Sequence, residues 1–394
     1  MPFRKIIIKL HLWLGLASGL IVLFLGVTGC VLVFEREIES LQSFRYVESS
    51  NSNFLPPSQL KKIAAAQLPG KTLHSVLYEG KEKAAQVIFY NAMPEYYYIV
   101  FINQYTGEVL KVKNMDQDFF RVVINGHYYL WLPPAIGQPV VATATLIFVI
   151  MMITGLILWW PKNKAARKQR FKIKWNARWR RVNYDLHNVP GFYISWVIIF
   201  IAVTGLIMGF QWFAKSIYFA TSGGKNLVVY EESYSKPMPQ TTSSMPAVDS
   251  IYVMMKTEYP VAESIEVHYP ENDSVALCAV ANHDASTYWK SDYRYFDQST
   301  LKEISVNHLY GRYPTASVAD KIMRMNYDVH TGAIGGLPTK ILAFFASLIA
   351  ASLPLTGFTI WYGRKKKKNI AASLIKTSVE NDKPAESAVV LQPN

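Results

Sequence analysis

Four long uncharged stretches stand out from the otherwise mixed pattern of polar and hydrophobic residues. They run from Leu12 to Phe34, from Tyr128 to Pro161, from Asn188 to Ala214 and from Ile341 to Gly363. Each contains at least 23 residues, which as an α-helix crosses a hydrocarbon core of about 30 Å. The pattern therefore predicts four transmembrane helices.

The two long connections between these stretches have the patterns of soluble α+β structure. In each, one amphipathic segment precedes three runs of alternating polar and hydrophobic residues. We expect helices at Leu60–Leu68 and Val248–Glu258. We expect strands near 72–78, 85–90, 96–102, 262–268, 276–281 and 288–296. The sequence thus predicts an α-helical membrane protein that carries two small α+β domains.

These elements divide the chain into eight parts. The predicted parts are an N-terminus with the first helix (1–34), a first α+β domain (35–136), a second helix (137–161), a basic loop (162–187), a third helix (188–214), a second α+β domain (215–337), a fourth helix (338–363) and a basic, then disordered tail (364–394).

The charge distribution predicts the orientation. The N-terminus, the loop and the tail together hold 20 Lys and Arg against four acidic residues, whereas the two long connections hold 21 basic and 24 acidic residues. Positive loops stay in the cytoplasm, so both termini are expected there and both α+β domains on the other side of the membrane. The net charge of +13 does not indicate nucleic-acid binding, because the excess flanks helices rather than covering a folded domain.

The two cysteines, Cys30 and Cys278, are too few for a disulfide framework or a thiolate metal site. No Cys-x-x-Cys-His motif for covalent haem attachment occurs. Val27-Thr28-Gly29-Cys30 matches a lipoprotein cleavage box, which leaves lipidation of Cys30 as an alternative to a first membrane helix.

The sequence has the pattern of an internal repeat. Thr-Gly occurs once in each hydrophobic stretch, and a histidine stands at a membrane boundary in the corresponding place of each repeat. His11 and His187 align without a gap, followed by Gly15 and Gly191 four residues later. In the other two segments the histidine precedes the Thr by 27 or 26 residues, at His127 and His330. We therefore expect a duplicated unit of helix, α+β domain and helix.

The orientation sorts these histidines into two pairs, His11 with His187 at the cytoplasmic boundary and His127 with His330 at the opposite boundary. Two histidines that converge at one depth supply the two axial nitrogens of a haem. Gly15 and Gly191 lie one turn after a ligand and would let the backbone approach the macrocycle, although small residues also serve helix packing.

A basic residue precedes each histidine by six positions. Lys and Arg near a membrane interface could pair with haem propionates. The four residues concerned are Lys5, Arg121, Arg181 and Arg324. The other four histidines, including His308, lie in the α+β domains, where a surface or hydrogen-bonded role explains them.

The chain resembles the PepSY-associated transmembrane family across about residues 5–365. The resemblance rests on Lys9-Leu10-His11-Leu12-Trp13-Leu14-Gly15, on Asp185-Leu186-His187 and on Asp328-Val329-His330-Thr331-Gly332, each in order with its Thr-Gly. Asn188-Val189-Pro190 departs from the more hydrophobic start that is usual after the third ligand, and it makes His187 the least secure of the four.

The resemblance implies two b-type haems in a bacterial inner-membrane protein that reduces a ferric siderophore, or another Fe(III) chelate, in the periplasm. The electron donor stays open between a quinol and a cytoplasmic flavin reductase, since no Gly-x-Gly-x-x-Gly motif indicates an intrinsic dinucleotide site. Tyr310, Arg312 and Tyr313 are candidate contacts for an aromatic or anionic chelator.

Two other functions compete with the reductase. PepSY modules also act as inhibitory or chaperone-like domains, and the four helices would then be a non-enzymatic anchor, which has no use for duplicated boundary histidines. A secondary transporter is less favoured, because no acidic residue lies within a predicted span.

Overall fold

The computed structural model describes residues 3–161, 167, 170–235 and 245–381. Its α-helices, in chain order, are α1 (Phe3–Leu32), α2 (Glu35–Glu39), α3 (Pro57–Gln67), α4 (Phe119–Tyr129), α5 (Pro134–Trp159), α6 (Trp179–Gly209), α7 (Gln211–Thr221), α8 (Ala247–Glu258), α9 (Val318–His330) and α10 (Gly336–Asn381). Short 3₁₀ turns lie at Ser43–Arg45, Met115–Gln117 and Ala333–Gly335.

Within this described part, four helices are long and apolar enough to cross a membrane, as the sequence predicts. They are α1, α5, α6 and the span Ala333–Lys366, which contains the first part of α10. Helices α1 and α6 each pack against both α5 and α10, so the four form a square bundle with α1 diagonally opposite α6. Cys30 lies inside α1, with its sulfur 3.5 Å from the Phe344 carbonyl oxygen of α10.

Eight strands form one antiparallel sheet at the end of the bundle where α1 finishes, which we call the sheet end. They are β1 (Leu73–Tyr78), β2 (Ala85–Ala92), β3 (Glu95–Ile102), β4 (Val109–Asn114), β5 (Ser264–His268), β6 (Leu277–Asn282), β7 (Asp292–Phe296) and β8 (Glu303–Ile304). Their spatial order is β4-β3-β2-β1-β5-β6-β7-β8.

The two predicted α+β domains therefore share a sheet rather than standing apart. Strands β1 and β5 meet at its centre, where Ser75 pairs with His268 and Tyr78 with Ile265. Helices α3 and α8 cover one face, over a common core that includes Leu60, Ile251 and Met255. Pairing the two central strands leaves neither half with an open edge there, and each half continues outward in the same order.

Helices α4 and α9 connect the sheet to the membrane bundle and are fixed by local chemistry. The Asp118 side chain caps α4 by accepting from the Arg121 N–H, and Ser317 and Asp320 form a capping box on α9. After α4 the chain turns sharply into α5. A Cβ at Gly137 would lie 2.1 Å from the Tyr129 carbonyl oxygen, so only glycine permits this corner.

The observed limits of helices α5, α6 and α10 differ from the predicted ones. Helix α6 begins at Trp179, nine residues before the predicted start, and continues through Pro190 to Gly209. The second hydrophobic stretch is broken at Leu130 and Trp131, both in left-handed conformation, so His127 lies in α4 rather than in the membrane helix that follows. Helix α10 reaches Asn381 within the predicted disordered tail, and residues 382–394 of that tail lie outside the described residues.

Candidate functional site

The four boundary histidines form two facing pairs inside the bundle. The ring centres of His11 and His187 are 6.5 Å apart with an interplanar angle of 85°. Those of His127 and His330 are 6.2 Å apart with an angle of 70°. The structure thus brings together the pairs expected from the orientation, one near each end of the bundle.

The square arrangement of the helices explains this pairing. Helices α1 and α6 are diagonally opposite, so His11 and His187 point at each other across the centre of the bundle. At the sheet end, α4 and α9 lead into the other diagonal, α5 and α10, and deliver His127 and His330 to the same axis. Seventeen residues separate His11 from Thr28 at the level of the second pair, which is about 25 Å along α1.

Each histidine makes the same contact with the threonine of a Thr-Gly pair on a neighbouring helix. In all four cases Nδ1 lies within hydrogen-bonding distance of the threonine Oγ1. The contacts are His11 to Thr154 (2.9 Å), His187 to Thr356 (2.9 Å), His127 to Thr28 (2.8 Å) and His330 to Thr204 (3.1 Å). The recurring threonines, whose role the sequence did not reveal, are therefore part of the histidine sites.

The glycine that follows each threonine makes room for the imidazole. A Cβ built on it would lie close to the ring Cε1 of the histidine that its threonine contacts. These distances are 3.2 Å for Gly357 and His187, 3.3 Å for Gly205 and His330, 3.4 Å for Gly155 and His11, and 3.7 Å for Gly29 and His127. The Thr-Gly dipeptide thus supplies a polar contact and the space for the ring.

Two asparagines, which the sequence analysis did not single out, form hydrogen bonds with two of these threonines. Asn183 and Asn326 precede His187 and His330 by four residues, one turn earlier on the same helix face. Their amide nitrogens donate to the carbonyl oxygens of Thr356 (3.1 Å) and Thr204 (3.2 Å). Each pair thus contains one histidine whose threonine is also held by an asparagine.

A cavity surrounds the pair at the sheet end. It has an empty volume of about 1250 Å³, including its open part, and is lined by His127, His330 and small residues such as Gly26, Gly29 and Ala202. Glu35 lies on the same lining, where burial, followed by the nearby carboxylates of Glu39 and Asp118, raises the pKa of its side chain. Small residues from several helices thus leave space for a large group beside the two imidazoles.

The ring separation in both pairs fits a bis-imidazole haem. A metal held at about 2 Å by two imidazole nitrogens sets the ring centres roughly 6 Å apart, because each nitrogen lies about 1 Å from its ring centre. Nε2 of these histidines makes no hydrogen bond within the described part of the chain. Among the described residues no group of three or more His, Cys, Asp or Glu could hold a metal ion, but haem takes only two axial ligands from the protein.

The structure places Gly15 and Gly191 at contacts between helices. A Cβ at Gly15 would meet the Met151 side chain of α5 at 2.9 Å, and one at Gly191 would meet Leu353 of α10 at 3.4 Å. Close helix packing is therefore the role that their surroundings indicate.

The four basic residues six positions before the histidines have unlike environments. Lys5 is exposed, and Arg181 pairs with Asp185 at 2.9 Å. Arg121 and Arg324 instead lie over sheet tyrosines, Tyr97 and Tyr293 respectively, at 5.4 and 5.7 Å from the ring centres. Their common spacing therefore does not give the four residues a common role.

Arg324 departs most from the propionate role expected of it. Its guanidinium is buried and donates to the carbonyl oxygens of Leu309, Ser291 and Gly311 at 2.8, 3.2 and 2.6 Å. Burial lowers the pKa of this group. With its donors committed to backbone, Arg324 ties the 309–311 segment to α9 instead of facing the cavity.

Arg324→Ala is accordingly expected to destabilise the whole sheet end. The buried carbonyl oxygens of Leu309 and Ser291 would lose the donor that the described residues provide, at about 1–3 kcal/mol for each acceptor left unsatisfied, while the Gly311 oxygen would keep its 3.4 Å bond from the Tyr293 N–H. Thermal unfolding followed by intrinsic fluorescence should show a clearly lower Tm for this variant than for Arg121→Ala, whose side chain is exposed. Equal Tm values for the two variants, with haem lost only from Arg324→Ala, would contradict the structural role and favour propionate pairing.

The candidate substrate contacts are also engaged within the protein. Arg312 donates to Asp292 at 3.2 Å and to Glu303 at 2.8 Å, and Asp292 accepts from the Tyr313 N–H at 2.7 Å. The Tyr310 ring packs against Tyr293, with 5.4 Å between ring centres. These residues hold the segment after β8 against β7, and only part of their surface is open to a ligand.

A family model described as the PepSY-associated TM region matches residues 8–364. The match covers nearly all of the four membrane helices, both histidine pairs and the sheet. A search of curated proteins found no match to the chain.

Proposed function

The chain belongs to the PepSY-associated transmembrane family, and from this premise we propose that it is a di-haem electron conduit that reduces a ferric chelate. It would bind two non-covalent b-type haems per chain, one between His11 and His187 and the other between His127 and His330. Its substrate would be a ferric siderophore or another Fe(III) chelate on the sheet side of the membrane.

The observation that carries the proposal is the pair of facing imidazoles near each end of the bundle. Ionisable side chains within a membrane bundle are rare and usually mark cofactors or ion paths. Here four of them converge in two pairs with ring separations of 6.5 and 6.2 Å. Two ligand pairs along one axis support transfer across the membrane rather than chemistry at a single surface.

When bound, the haems supply iron centres that accept and donate single electrons. The four histidines would each supply a ring nitrogen to the iron, and two protein ligands per haem would favour outer-sphere transfer over binding of oxygen or substrate at the iron. The threonine contacts orient the imidazoles, and the hydrophobic bundle excludes water from the path between the pairs. The buried residues of that path include Met152, Ile198 and Ala350.

We further infer an internal duplication and an orientation. The strand order mirrored about β1 and β5 and the four equivalent histidine–threonine contacts support the duplication. The positive charge of the termini and of the 162–187 loop supports their location in the cytoplasm, with the sheet in the periplasm of a bacterial inner membrane. Electrons would then pass outward from a quinol or a cytoplasmic flavin reductase.

The protein purified from haem-replete cells is expected to contain close to two haems per chain. They should form a pyridine hemochromogen of the b type and extract into acidic acetone, because no Cys-x-x-Cys-His motif anchors them. A colourless protein would refute the proposal and favour a membrane anchor for a PepSY module.

A further inference from the structure

The four threonines of the Thr-Gly pairs each have a single hydroxyl hydrogen to donate, and a carbonyl oxygen of the same helix lies within reach of it. Each Oγ1 lies within hydrogen-bonding distance of a carbonyl oxygen of the preceding turn in its own helix. The contacts are Thr28 to Phe24 (2.8 Å), Thr154 to Met151 (3.0 Å), Thr204 to Phe200 (2.8 Å) and Thr356 to Ser352 (3.1 Å). A carbonyl oxygen can only accept, so the hydroxyl must be the donor in these contacts.

The threonine oxygen is therefore left as an acceptor towards the histidine. Since the hydroxyl hydrogen points at the helix carbonyl, the contact of 2.8–3.1 Å between Oγ1 and Nδ1 requires a proton on Nδ1. His330 provides an independent check, because its Nδ1 also lies 2.9 Å from the Ile201 carbonyl oxygen, which cannot donate. A neutral imidazole with its proton on Nδ1 has a free lone pair on Nε2.

We propose that Thr28, Thr154, Thr204 and Thr356 are positioning residues that fix each histidine as the Nδ1-protonated tautomer, with Nε2 free to bind haem iron. The inference rests on the haem-binding function proposed above and deepens it. The threonines touch neither iron nor substrate and act through the imidazoles. An acceptor on Nδ1–H also raises the basicity of the ligand, which stabilises ferric over ferrous iron.

The four threonines do not carry this role equally. His330 has the Ile201 carbonyl oxygen as a second acceptor, and His11 and His187 have backbone contacts to Met151 and Leu353. For His127, Thr28 is the hydrogen-bond partner of Nδ1 that the described residues provide. Removing the Thr28 hydroxyl should therefore have the largest effect, and Thr204, which contacts the other histidine of the same pair, is its matched control.

The test compares Thr28→Ala, Thr28→Ser and Thr204→Ala in the full-length protein. Alanine removes the hydroxyl without placing a methyl group against the ring, whereas serine keeps the hydroxyl. Thr28→Ala should lower the affinity of the sheet-end site for haem by about 10–100-fold and raise the midpoint potential of the haem that remains. Thr28→Ser should restore both properties, and Thr204→Ala should change them less.

A second measurement does not need haem. In haem-depleted protein labelled with ¹⁵N-histidine, the His127 nitrogens should show the Nδ1-protonated pattern, and Thr28→Ala should change it towards a mixture of tautomers. A wild-type protein that binds two haems but tolerates Thr28→Ala with unchanged affinity, potential and tautomer would overturn this inference alone. A wild-type protein that binds no haem under any condition would instead overturn the proposed function.

Discussion

His11→Ala and His187→Ala are each expected to remove the same haem, while the haem of the other pair stays bound and low-spin. The reason is geometric, since these two rings face each other across the bundle at 6.5 Å and lie about 25 Å along α1 from the second pair. Haem content should fall from two per chain towards one. Electron paramagnetic resonance should lose one low-spin signal and keep the other.

The reciprocal variants, His127→Ala and His330→Ala, should remove the other signal. His283→Ala is a suitable control, because His283 is an exposed side chain of the sheet domain and should leave both haems in place. If His11→Ala and His127→Ala damaged the same haem, the pairing would be wrong, whatever the total haem content.

The sequence was sufficient to predict which histidine rings face each other, because that arrangement follows from the charge distribution and from the positions of the histidines relative to the hydrophobic stretches. Charge asymmetry gives the orientation, and orientation gives the depth of each histidine. The departure at Asn188-Val189-Pro190 suggested an altered start to the third helix, yet the helix begins eight residues before His187 and holds that ring opposite His11. His187 contacts Thr356 at 2.9 Å, the same distance as His11 to Thr154, and its lower security as a haem ligand stays a prediction.

The function of the Thr-Gly pairs could not be predicted, although their recurrence was plain. Each threonine contacts a histidine on another element, between 99 and 169 residues away in the chain. Only the packing of the helices reveals which histidine it meets. For Arg324, by contrast, the sequence pattern suggested a propionate-binding role that the surroundings of its side chain do not support. Its spacing matched that of three other basic residues, but spacing carries no information on burial, and burial decides its role.

The joining of the two sheet halves could not be predicted from the sequence either, because it also depends on contacts between distant parts of the chain. Alternating patterns located β1–β3 and β5–β7 to within a few residues, because side-chain alternation is local. The pairing of β1 with β5 depends instead on two edges about 190 residues apart, and either half alone has the pattern of a complete module. The short strand β8 was not predicted, since two residues are too few to show alternation.

His330→Ala is expected to abolish reduction of a ferric siderophore while the haem between His11 and His187 is still reduced by dithionite. This site lies at the sheet end of the bundle, and Glu35 and Tyr327 line its cavity. One electron per iron converts Fe(III) to Fe(II), for which a hard-oxygen chelate has lower affinity, so the released ion can be trapped with ferrozine. Reoxidation of the reduced wild-type haems should match the Fe(II) trapped.

The remaining haem in His330→Ala makes the experiment decisive. It would still accept electrons but would lie about 25 Å deeper than the lost one along α1, too far from the chelate for fast transfer. His283→Ala should reduce the chelate at the wild-type rate, which excludes a general effect of changing a histidine in the sheet domain. Normal reduction by His330→Ala, or wild-type haems that stay reduced with every ferric chelate tried, would refute the reductase proposal. A different electron acceptor on the sheet side would then have to account for two histidine pairs on one axis of the bundle.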